Sequence, residues 1–197
     1  MMFSTFILAF LSTVVSASPL NIAARHNSSS ACDGLGPNAF DDTTSGFGFI
    51  LGVTDGTTVN PQSIVLADPT DGTPTKVLGT LNTHPNVPFS TSFELQNGAL
   101  TPVFSFAGPV AQPAIAGSFV SFAVSPSADP AGIYCAVPQE DENNTTLLAV
   151  DGDTDSFALC AESVEHAFNV FSLVYKPDAY HPEYQFDTCR PAKVQVL

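Results

Sequence analysis

The sequence predicts an all-β fold, a single-domain sandwich or closed barrel, with a β-trefoil-like arrangement as the alternative. Three observations predict it. Short runs rich in β-branched and aromatic residues recur along the chain, turn clusters separate them, and helical periodicity is nearly absent. Sixteen prolines and thirteen glycines punctuate these runs, as the frequent turns of sandwiches and barrels require.

The strand signals come in order. GFGFILGV (46–53), SIVLAD (63–68) and KVLGTL (76–81) are separated by the turn clusters TDGTTVNPQ and PTDGTPT. STSFELQ then leads through Asn97-Gly98 into ALTPVFSF. Asn-Gly between two apolar runs predicts a hairpin, because both residues tolerate the positive φ of a type I′ turn. AGPVAQPAIAG (107–117) is small, apolar and proline-bearing, and reads as a loop over the core. SFVSFAV (118–124), GIYCAV (132–137), TLLAV (146–150), SFALCA (156–161), NVFSLVYK (169–176) and KVQVL (193–197) complete a set of roughly ten or eleven strands. AESVEHAF (161–168) has room for about two helical turns.

The chain divides into a signal peptide at residues 1–17, an N-terminal segment at 18–31 and an all-β domain at 32–197. MMFSTFILAFLSTVVSA has an uncharged apolar run ending in the small residues Ser16 and Ala17, the pattern a signal peptidase reads. No later stretch is long and apolar enough to span a bilayer. Arg25 offers a trimming site within the following segment. Trimming there would expose His26, but signal cleavage falls earlier, so a copper-chelating terminus is not expected.

Export makes the cysteines informative. Cys32, Cys135, Cys160 and Cys189 are an even set without C-x-x-C spacing, which predicts two disulfides and argues against zinc. Three pairings are open. Asn27, Asn143 and Asn144 begin N-x-[ST] sequons, expected on surface loops. The net charge of −14 repels nucleic acid and anionic lipid, so neither is an expected partner.

Motifs of chemistry are few. DGDTDSFALCAE (151–162) places Asp151, Asp153 and Asp155 at the first, third and fifth positions of a calcium loop and Glu162 at the twelfth. A calcium loop of that type lies between helices and has glycine at its sixth position; here the flanks are strand-like and Ser156 occupies the sixth. The favoured reading is a tight turn DGDT, with DSFALC returning antiparallel to TLLAV, and no metal. No nucleophile elbow, zinc-protease motif, phosphate loop or dinucleotide fingerprint occurs. His84 and His181 precede prolines and read as loop residues, and His166 sits on the short helical stretch. No catalytic residue and no cofactor is expected. Tryptophan is absent, and the phenylalanines sit at strand spacing. Tyr180, His181 and Tyr184, crowded in DAYHPEYQF (178–186), are the candidate ligand contacts.

FELQNGAL, AGIYCAV, DSFALC, NVFSLVY and DTCRPAKVQV follow one another between Phe93 and Leu197. This half of the chain resembles a group of fungal secreted cell-surface proteins, including the C-terminal domain of yeast wall proteins with internal repeats and the PhiA-like wall proteins. The resemblance implies a non-catalytic protein of the fungal wall or its exudate. It carries over no functional residue beyond Cys160 and Cys189. The internal repeats themselves are absent, so covalent wall attachment is not implied. The expected function is that of a secreted, non-catalytic wall or matrix protein, with wall polysaccharide or another wall protein as partner. A glycan-binding module is the first alternative and a secreted hydrolase the second.

Overall fold

The computed structural model describes residues 30–43, 48–55, 60–84, 89–103, 108–125, 127–141, 143–163 and 170–197. Among these, every regular element is a strand. The predicted signal peptide, Arg25, His26, Asn27, His166 and most of the AESVEHAF stretch lie outside them.

The strands are β1 (Leu51–Thr54), β2 (Gln62–Ala67), β3 (Lys76–Thr80), β4 (Phe93–Gln96), β5 (Ala99–Pro102), β6 (Val110–Ala111), β7 (Ser118–Phe119), β8 (Ser121–Ala123), β9 (Tyr134–Pro138), β10 (Thr146–Val150), β11 (Phe157–Glu162), β12 (Phe171–Tyr175) and β13 (Tyr184–Val196). Six of them close into an antiparallel barrel in the order β3-β2-β1-β13-β11-β12 and back to β3. Closure removes the exposed edges that an open sheet would leave. The predicted all-β class holds, and between its two forms the barrel is the one formed.

Closure is uneven around the ring. β3 and β12 meet directly at Gly79 and Ser172. Beyond that point they diverge, and the chain at 118–123 wedges between them. β7 pairs with β12 and β8 pairs with β3. Val120, between β7 and β8, accepts from the Leu78 amide and donates to the Leu173 carbonyl.

Alternation decides what fills the barrel. Leu51 and Val53, Ile64 and Leu66, Leu78, Phe157 and Leu159, Leu173 and Tyr175, and Val194 all belong to one buried cluster. They recur at period two, so each strand sends one row inward. At one end the cluster continues into Phe93, Leu95 and Leu100 of the β4–β5 hairpin. Bridges from Phe49 to Phe93 and from Leu66 to Ser90 hold that hairpin against the ends of β1 and β2. The hairpin turn is at Asn97-Gly98, with φ of 50° and 77°, as the Asn-Gly signal predicts.

Both disulfides form. Cys32–Cys135 ties the chain ahead of β1 to β9, and Cys160–Cys189 joins the adjacent strands β11 and β13. Beside the second bridge, the pairing of β11 with β13 shifts between Leu159 and Ala161, and Thr188 fills the gap by accepting from the Ala161 amide through Oγ1 at 2.9 Å.

Three expectations need correction. The Asp151-Gly152 turn is real, with φ of 49° and 80° and a bridge from Val150 to Asp153. Yet β11 does not return along β10. Both strands run antiparallel to β13, β10 against Gln195 and Val196 and β11 against earlier residues, so the turn interrupts a shared course rather than reversing it. β13 competes for the hydrogen bonds that a hairpin would have used. The last strand is longer than the predicted KVQVL, since β13 begins far upstream at Tyr184, inside DAYHPEYQF. Finally, Val110 and Ala111 inside the predicted loop pair with β8.

Candidate functional site at the barrel mouth

The barrel end opposite the β4–β5 hairpin carries polar side chains instead of apolar ones. The period-two rows explain this. The inward row Leu51-Val53 continues to Asp55, the row Leu66-Ile64 runs back to Gln62, and the row Val194-Ala192 runs back to Arg190. Leu159 and Phe171 arrive from β11 and β12, and Thr83 follows β3. These six residues line a cavity of about 170 Å³.

Asp55 and Arg190 set its electrostatics. The Asp55 side chain is 3% exposed, and its Oδ2 lies 3.5 Å from Arg190 Nη1. The guanidinium is half-exposed and lies over the Phe171 ring at 5.5 Å from its centre, a geometry that adds cation–π attraction. Thr83 stabilises the rim: its hydroxyl oxygen accepts from the Phe171 amide at 3.0 Å and lies 2.6 Å from the Thr80 hydroxyl. Among the described lining residues, this carboxylate and guanidinium are the charged pair and are opposite in sign.

A second polar group lies outside the barrel wall, behind β11 and β12. Glu162 is buried on the outward face of β11. Its Oε2 accepts from the Thr70 amide at 2.8 Å and from the Thr70 hydroxyl. Its Oε1 accepts from the Ser172 hydroxyl at 2.5 Å. Ser172 Oγ also lies 3.3 Å from His84 Nε2. Because serine has one hydrogen and gives it to Glu162, His84 is the donor in that contact. Burial of the His84 ring pushes its pKa down, partly opposed by the negative charge of Glu162.

Serine, histidine and a carboxylate together invite comparison with a nucleophilic triad. In such a triad the imidazole stands between serine and acid and takes the serine proton. Here the serine stands in the middle, points its hydrogen at the acid and is fully buried. This order holds three elements together and leaves Ser172 no path to a substrate.

The other expected sites are dispersed. Tyr180 is 94% exposed. His181 stacks flat on Tyr184, at 5.2 Å and 6° between planes. Tyr184 is buried; its hydroxyl accepts from the Asp178 amide at 2.7 Å and donates to the Asp178 carbonyl at 3.1 Å. The three residues are neighbours, but only Tyr180 faces solvent fully. A separate open groove of about 560 Å³ runs beside the Cys160–Cys189 bridge, with Phe186, Pro177, Pro191, Lys176, Asp155 and Asp187 among its walls.

The carboxylates of Asp153 and Asp155 in the acidic turn have local partners. Asp153 Oδ1 accepts from the amides of Asp155 and Ser156, and Lys176 Nζ lies 3.6 Å from Asp153 Oδ2. Asp155 pairs with Lys193. No group of metal-ligating side chains occurs among the described residues. Asn143 and Asn144 are exposed on the loop between β9 and β10.

The mouth was missed from sequence because Asp55 and Gln62 border a turn cluster and read as turn residues. Period-two parity is the signal that finds them: each lies two residues beyond an inward apolar position. Compared with known families, characterised proteins and solved structures, the chain matches no family model, no curated protein and no structure.

Proposed function

We propose that this chain is an exported, non-catalytic protein of the fungal cell wall or extracellular matrix, held there by wall polysaccharide or another wall protein. The observation that carries the reading is how the polar groups are spent. The serine–histidine–carboxylate group behind β11 and β12 has its serine buried and its hydrogen committed to Glu162. That supports a structural use of these residues over hydrolysis. Two disulfides support an oxidising compartment, as does the apolar leader that precedes the domain. The exposed sequons at Asn143 and Asn144 agree with passage through a secretory route.

Fractionation of a fungal host expressing the chain with a C-terminal tag tests this reading. The protein is expected outside the cell, enriched in the wall fraction and released by glucanase digestion or detergent. Retention in the cytosol with four free thiols would overturn it. So would turnover of ester or glycoside substrates that disappears in Ser172→Ala.

A further inference from the structure

We propose that the barrel mouth is a binding site for one neutral sugar ring, held by Asp55, Gln62 and Arg190 around an apolar face made by Leu159 and Phe171. The inference goes beyond export or wall residence, because it concerns the purified chain in solution whatever compartment it occupies.

The chemistry of the walls selects the ligand. A sugar hydroxyl both donates and accepts, and it is best held where both kinds of partner converge. Asp55 accepts only, Arg190 donates only, and Gln62 does both. All three line the same cavity of about 170 Å³. A sugar ring also carries C–H faces that must leave water, and Leu159 and Phe171 supply apolar surface for them. Few ligand classes need both features within so small a space.

Charge and size exclude the nearest competitors. Asp55 and Arg190 already face one another across 3.5 Å. An anion would compete with Asp55 for the guanidinium, and a cation would compete with Arg190 for the carboxylate. A neutral polyol bonds to both without separating them. Sites that enclose drug-sized molecules run to roughly 300–1,000 Å³, so this smaller cavity takes one ring. It reads a free monosaccharide or the exposed end of a chain, whereas an internal stretch of polysaccharide does not fit.

Titration of the isotope-labelled, oxidised full domain with D-glucose, D-mannose, D-galactose and N-acetylglucosamine at millimolar concentrations, followed by nuclear magnetic resonance, tests the site. At least one sugar is expected to move the Gln62 side-chain amide and the Arg190 Nε–H signals along saturable curves. Acetate and glycine at equal concentration are expected to leave them in place. Gln62→Leu is expected to weaken binding about tenfold, the loss typical of leaving buried polar partners unmatched. Arg190→Lys serves as the second variant, since its exposed head tolerates replacement, and it is expected to weaken binding similarly. Tyr180→Ala is expected to change nothing. Absence of a saturable response to all four sugars overturns the proposal. So do equal responses to acetate, shifts confined to the Phe186 groove or Tyr180, or unaltered affinity in both mouth variants.

Discussion

Gly79 shows how one residue without a side chain permits a buried polar contact. It sits where β3 meets β12, and the His84 ring lies against it. A Cβ placed there would overlap Nε2 and Cδ2 of His84 and come within 3.0 Å of the Phe171 carbonyl oxygen. Gly79→Ala is therefore expected to destabilise the fold by about 1–3 kcal/mol, the usual cost of overpacking, measured as a lower urea midpoint. The loss should shrink when His84→Ala is already present, because the clash is mostly with that ring. Equal losses in both backgrounds would separate Gly79 from His84. Tyr134 makes the opposite case. Its hydroxyl is the one buried side-chain polar atom without a hydrogen-bond partner among the described residues. Burial, reinforced by the charge of Asp151, pushes the phenol strongly toward its neutral form. Tyr134→Phe removes an oxygen that makes no bond, so it is expected to leave stability unchanged or raise it by about 1 kcal/mol. A measured loss would reveal a partner for that hydroxyl. Neither residue announces itself in sequence. KVLGTL reads as an ordinary strand, and the need for glycine arises only when His84, from the following loop, folds back over it.

At the level of elements, runs whose strand signal is local were legible, and elements that depend on a distant partner were not. TLLAV, SFALCA and NVFSLVY are short, nearly unbroken apolar runs, and they became β10, β11 and β12, buried on both faces. The stretch of β13 up to Pro191 carries charges, that proline and mostly exposed side chains, with little of a buried strand in its composition. It is a strand because β11 offers it an unpaired edge and Cys160 anchors Cys189 beside it. The mouth was hidden for the same reason, since its walls come from six strands or their flanks that meet only on closure. The bridges themselves differ in reach. Cys32 and Cys135 lie 103 residues apart, Cys160 and Cys189 only 29. Restricting the unfolded chain is worth roughly 4.7 kcal/mol for the longer span and about 3.6 kcal/mol for the shorter on the loop-entropy account. Replacing Cys32 and Cys135 together by serine is therefore expected to lower the urea midpoint more than replacing Cys160 and Cys189 together. The reverse order would mean that native contacts around the β13 irregularity outweigh chain entropy.

For the molecule as a whole, acidity acts through two opposed terms. The formal charge of −14 makes the native state repel itself near neutrality, and protonating carboxylates relieves that repulsion. His84 works the other way. Its pKa is lowered in the folded state by burial, while in the unfolded chain it returns to its ordinary value of 6.5. Above that value the ring is neutral in both states and costs nothing. As pH falls below it, the unfolded chain takes up a proton that the folded chain declines, so stability falls until the pH passes the lower, folded value. Asp141 is also shifted down, by hydrogen bonds from Thr145, and its contribution is lost only as pH falls through the ordinary carboxylate value of 3.8. His84→Gln preserves an N–H donor toward Ser172 and removes the titration. Urea midpoints measured from about pH 7.5 down to about pH 5 should decline in the parent relative to the variant, with the gap opening below the histidine's ordinary pKa. Parallel curves across that range would show that the buried imidazole does not set the acid response, and would leave surface charge to account for it.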